Sequence, residues 1–231
     1  LHANGQAEEA LRVLKKFMTI AGTLDSPNGL PSFYEYRRTD PDSPRYGEID
    51  KPSFLWAGGF YLQSLYQLAG ARENQWNQYL DVNIPAALRE AEFDLTINGK
   101  LCRIQNKGDG DWFERIDVDG VQLPSAVITT AGDHMLVKRG KLIAPYLAQA
   151  DCKIIAVNLN KNIMSLGVEG IPGQTFQLTL ASPQTISRAV QIQTSESTDL
   201  EVIALQDGYF GVRGFLKQGG SRIELVFKDR E

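Results

Sequence analysis

Glu35 and Glu48 stand on one stretch rich in proline, tyrosine and aspartate. Paired carboxyl groups are what cleavage of a glycosidic bond requires. One protonates the leaving oxygen; the other attacks the sugar or activates water, at about 5–5.5 Å separation for retention and about 6.5–9.5 Å for inversion. A loop that folds back on itself can bring two such residues that close. The same acids have Arg37, Arg38 and Arg45 beside them, so salt bridging and capping explain them without catalysis. Tyr34, Tyr36, Asp50 and Trp56 lie around the pair, with Tyr46 and Phe54 nearby. Aromatic faces stack on the C–H faces of sugar rings while flanking acids bind hydroxyls, the makings of a saccharide subsite. Packing between this loop and a neighbouring layer of the fold uses the same rings without a ligand.

Other chemistry is thinly represented. Cys102 and Cys152 lack metal-ligand spacing and read as buried thiols, with a single bridge open to them in an oxidising compartment. His2 and His134 have no cysteine or acid cluster around them, which argues against zinc. In Asn-Lys-Gly-Asp-Gly-Asp-Trp-Phe-Glu (106–114), Asp109 and Asp111 resemble part of a calcium loop, but the twelve-residue spacing is not met. A turn in which Trp112 opens the next strand is the simpler reading. There is no phosphate-binding Gly-Lys-Ser loop, dinucleotide fingerprint or Gly-x-Ser-x-Gly elbow. No cofactor and no metal are therefore expected. A net charge of −4 draws the chain neither to nucleic acid nor to an anionic membrane surface. No apolar run approaches the ~20 residues a membrane helix needs. The compartment, cytoplasmic or periplasmic, stays open.

The elements that must hold these residues follow from hydrophobic rhythm. Ala7, Ala10, Leu11, Leu14, Phe17, Met18 and Ala21 recur at helical spacing, predicting a helix over 6–22 with Gly22 as its stop. Residues 23–53, with five prolines, read as a long irregular loop. A second helix is expected from Ser53, with an apolar band from Trp56 to Leu68 and Gly70 at its end. Gly58 and Gly59 near its start weaken it by about 1 kcal/mol each, which fits a close approach to the backbone. A third helical segment is predicted over 73–82, broken by Pro85.

After residue 90 the period becomes two. Segments alternate apolar and polar residues, and Gly, Pro, Asn and Asp interrupt them every ten residues or so. Asn98-Gly99 and Asp119-Gly120 are hairpin turn signals. The stretch 141–151 reads as a linker or short helix. The fold class expected is α+β: a short α-helical hairpin segment over 1–90, then an antiparallel β-sandwich module over 91–231, one sandwich or two divided near 141–151. So few helices make a poor independent core and need a partner surface.

The order of elements resembles the carboxy-terminal end of glycoside hydrolases and phosphorylases built on an (α/α)6 barrel, the cellobiose-phosphorylase-like group. The likeness rests on PSFLWAGGFYLQSLYQLAG (52–70), on YLDVNIP (79–85) leading into a β domain, and on MSLGVEGIPGQTFQLTLASPQTISRAVQI (164–192). It implies a carbohydrate-active protein; the residues themselves add a saccharide-contacting loop at 30–60, with Glu35 and Glu48 as catalytic candidates and Tyr34, Tyr36, Trp56 and Asp50 as ligand contacts. The barrel of that group needs many more helices than this chain supplies, and its general acid lies upstream of anything present here. Two further readings stand beside this one: a non-catalytic carbohydrate-binding module, and a structural or assembly module. The partners implied are an oligosaccharide, and a second copy of the chain or a missing helical part to cover the helices.

Overall fold

The computed structural model describes residues 5–17, 34–38, 40–52, 55–193, 196–206 and 208–229. Leu1–Gly70 with Asn83–Ala86 form one compact unit; Ala71–Val82 with Ala87–Glu231 form the other. The architecture is α+β, a short helical segment followed by a β-sandwich. No helix among the described residues is long and apolar enough to cross a membrane.

In the first unit, α1 spans Ala7–Phe17, with Glu8 and Glu9 in its first turn where the helix dipole favours anions. Residues 18–22 of the expected helix lie outside the described residues. The stretch expected to be irregular contains a short antiparallel ribbon, β1 (Tyr34–Arg37) and β2 (Ile49–Pro52). Its closure is legible afterwards: the 40–48 segment turns through Asp40–Ser43 and Ser43–Tyr46 backbone bonds, and Gly47 supplies a φ of 78°. α2 runs Leu55–Leu68 and ends on Gly70, at φ 90°. The proposed Ser53 cap lies outside the described residues.

In the second unit, the predicted third helix is instead a tight hairpin, β3 (Ala71–Glu73) and β4 (Gln78–Leu80). The Asn74 side chain accepts hydrogen bonds from the backbone N–H groups of Trp76 and Asn77, both at 2.9 Å, and so removes donors a helix would use. Asn74 Nδ2 and Asn77 Nδ2 then donate to the carbonyls of Ala150 and Cys152, each at 2.8 Å.

A five-stranded sheet follows: β5 (Glu92–Ile97), β6 (Lys100–Lys107), β7 (Trp112–Val118), β8 (Val121–Gln122) and β9 (His134–Gly140), in the order β5-β6-β9-β7-β8. Both expected turns close their hairpins: Asn98 and Gly99 have φ 47° and 78°, Asp119 and Gly120 φ 49° and 83°. The β6–β9 pairing is parallel, a departure from the antiparallel expectation. The connection between them leaves the sheet through Ser125 and Val127, which make bridges elsewhere.

The sandwich completes the chain. Its four-stranded sheet is β10 (Tyr146–Ala150), β13 (Thr175–Ala181), β17 (Tyr209–Phe215) and β16 (Glu201–Ala204), in that order. The other has β11 (Lys153–Asn160), β12 (Ile163–Glu169), β18 (Gly220–Lys228), β14 (Thr185–Gln193) and β15 (Glu196–Asp199). β10 stands where a linker or short helix is expected; Tyr146, Leu147 and Ala150 are buried, and it pairs with β13. Period-two burial along β12 and β13 turns Met164, Leu166, Val168, Phe176, Leu178 and Leu180 inward. They meet Ile223, Leu225 and Phe227 of β18 in one cluster spanning both sheets. At Gly214 a Cβ would lie 2.4 Å from the Phe176 ring, so the inward side of β17 is flat there.

Candidate functional site

Tyr34, Glu35, Tyr36 and Asp50 lie on the β1–β2 ribbon with Glu48 just before β2, and Trp56 lies in α2. Tyr34 pairs in register with Pro52, and Tyr36 with Asp50. Backbone bonds extend the ribbon, Arg38 N–H donating to Glu48 O at 3.0 Å. Glu35 therefore lies three register positions from Glu48, about 10 Å along the strand direction. The side chains of Tyr34, Glu35, Tyr36, Asp50 and Trp56 lie outside the described residues. Glu48 is described fully. Arg45 grips its carboxylate with two guanidinium nitrogens, one at 3.0 Å. Those hydrogen bonds, aided by the charges of Arg45 and Arg38, hold its carboxyl below the usual carboxylate range. Glu48 is thus an anion at neutral pH, able to accept a hydroxyl hydrogen but not to donate a proton.

The second unit contains an open cleft of about 660 Å³ at the 106–114 loop. Trp112 forms its wall. The indole lies against Gly208, where an added Cβ would sit 2.8 Å from the ring, and against Tyr209, with ring centroids 4.7 Å apart and planes tilted by 37°. Leu142 flanks the same glycine. Behind it Phe113 meets Tyr146 edge-on at 5.7 Å. Burial, and then the neighbouring Tyr209, raise the Tyr146 hydroxyl well above the ordinary tyrosine value. These hydroxyls stay neutral and can donate.

Several polar groups at the cleft serve the fold. Asp109 pairs with Arg89, and Glu114 with Lys138. Arg139, 2% exposed, donates to Asn106 Oδ1 at 2.7 Å and to the carbonyls of Val82 and Asp81 at 3.0 and 3.2 Å. Asp111 and Lys141 make no ion pair among the described residues, which leaves one anion and one cation for a ligand. Among the described residues, Asp109 and Asp111 included, no three His, Cys, Asp or Glu side chains are grouped to hold a metal ion. The sequence marks Trp112 as the start of a strand, but its shelf comes from Gly208 and Tyr209, far away along the chain.

No protein-family model, no curated protein and no solved structure matches this chain.

Proposed function

We propose that this chain belongs to a carbohydrate-active protein, and that its β-rich unit is a non-catalytic saccharide-binding module. One observation carries the reading: an indole shelved on a glycine and a tyrosine at the edge of a shallow cleft, with an uncommitted carboxylate and ammonium beside it. Sugars bind open sites of this kind by laying a C–H face on the ring while charged groups take the hydroxyls. The net charge of −4 gives no electrostatic attraction to nucleic acid.

Calorimetric titration with malto-, cello-, laminari-, xylo- and manno-tetraose tests it. Trp112→Ala should abolish binding at this cleft, and Trp112→Phe should retain part of it. Equal binding by Trp112→Ala, or no binding of any tetraose at millimolar concentration, sinks the proposal.

A second reading, assembly, has its own support in α2. Phe60, Leu62 and Leu65 are exposed on a helix whose described polar side chains are Gln63, Ser64 and Gln67, and exposed clusters of large apolar side chains often mark interaction surfaces. A second copy of the chain is the occupant to test: light scattering should show a dimer, lost in a Phe60→Ser, Leu62→Gln variant. A concentration-independent monomer would remove this role.

A further inference from the structure

The interior of the sandwich changes character at one end. Along β14 the inward positions run Ala189, Gln191, Gln193, and along β18 they run Leu225, Ile223, Ser221. Apolar pairs give way to amides and a hydroxyl. Gln191 is 4% exposed; its Nε2 donates to Phe215 O at 3.1 Å and Ser221 Oγ at 2.9 Å. Gln193 Nε2 reaches the same hydroxyl at 3.4 Å. Closing a sandwich needs only apolar side chains, and a buried amide costs about 1–3 kcal/mol unless it is hydrogen-bonded. Here the Phe215 carbonyl and the Ser221 hydroxyl satisfy the Gln191 amide, so this end of the interior is polar and hydrogen-bonded.

This end opens into a groove of about 560 Å³, within the range of small-ligand sites. Phe215, 48% exposed, forms a wall. Asp199, Glu201, Arg213 and Lys217 stand around it. Arg213 sits opposite Glu201 in register, yet it donates at 3.0 Å to Gln177 Oε1 on its other side. Asp199, Glu201 and Lys217 take part in no ion pair among the described residues. Charges of both signs border one groove without neutralising each other. An anionic ligand would meet two carboxylates, and a cationic one would meet an arginine and a lysine. A neutral polyhydroxyl ligand satisfies both sets at once, because each hydroxyl both donates and accepts.

We propose that this groove is a second saccharide site, binding a neutral oligosaccharide with a ring against Phe215 and its hydroxyls on Gln193, Arg213 and the two carboxylates. It rests on the reading of the β-rich unit as a saccharide-binding module. The test is calorimetry with the same five tetraoses on the wild type, Trp112→Ala, Arg213→Ala and Lys217→Ala. The expected result is two sites per chain in the wild type, one in Trp112→Ala, and at least tenfold weakening of that remaining site when Arg213→Ala is added. Lys217 is exposed outside the strands, so Lys217→Ala keeps the fold and should weaken the same site. A single wild-type site lost in Trp112→Ala overturns the groove and leaves the Trp112 site standing. A single site weakened by Arg213→Ala and untouched by Trp112→Ala keeps the groove and overturns the Trp112 site. No heat with any tetraose overturns both.

Discussion

Arg139 is the side chain on which the second unit's polar interior depends. Its guanidinium lies 5.5 Å from the Phe113 ring centroid and holds three acceptors, two of them backbone carbonyls of the 81–82 segment. Burial, and then the nearby Arg89, push its pKa down to about 10, so it is charged at neutral pH. Replacing it with methionine keeps volume but leaves three acceptors unmade, each worth about 1–3 kcal/mol. Arg139→Met should lower stability by about 3–5 kcal/mol in urea unfolding, and Arg139→Lys by a smaller amount, because an ammonium cannot span the fork. Loss under about 1 kcal/mol for Arg139→Met would show the network to be dispensable.

Cys152 sits at the same scale. Burial, and then the charge of Asp151, push its thiol up to about 12. Tyr146 is raised by burial and Tyr209. For both groups the unfolded chain ionises first, from about pH 8.5 for cysteine and about 10 for tyrosine. Their contribution to stability is complete below those values and is lost as pH rises above them, for Cys152 toward about 12 and for Tyr146 higher still. Urea midpoints should therefore fall between pH 8.5 and 11, with a shallower fall in Cys152→Ala. A flat profile over that interval contradicts the burial of the thiol. Both thiols are buried and unbridged, so neither should react with a thiol reagent until the chain unfolds.

Elements show where local signals suffice. Asn98-Gly99 and Asp119-Gly120 meet the left-handed requirement of a two-residue hairpin at both positions. Nothing lies within 4 Å of an added Cβ at Gly99 or Gly120, so alanine there tests backbone strain alone. Gly99→Ala and Gly120→Ala should each cost about 1–2 kcal/mol; neutrality would mean the turns can change type freely. β3–β4 shows where local signals fail. Trp76 and Leu80 fit helical spacing, but the Asn74 side chain takes the backbone donors and Asn77 is anchored on β10 and β11. Propensity alone cannot register that competition. β1–β2 was hidden for a related reason: a ribbon of four-residue strands has too few alternations to stand out from a proline-rich loop.

At the scale of the molecule, one apolar cluster joins the two sandwich sheets. Leu178 and Leu225 contribute from opposite sheets, and each is 0% exposed. Leu178→Ala and Leu225→Ala should each cost about 2–5 kcal/mol by equilibrium unfolding. If the pair couples, the double variant departs from additivity by at least about 0.5 kcal/mol. Strict additivity would mean the sheets are not packed through these residues.

The amino-acid sequence by itself determined the change from helical to alternating rhythm near residue 90, the α+β class, the strands from residue 92 onward with few exceptions, and the two glycine turns. Those features depend on neighbours along the chain, where periodicity and backbone sterics act. The tertiary structure alone decided that β6 and β9 run parallel, that Trp112 rests on Gly208, and that Gln191 reaches the Phe215 carbonyl. These meetings depend on strand order and register. Both are set by burying many side chains together, so no single stretch of residues carries them.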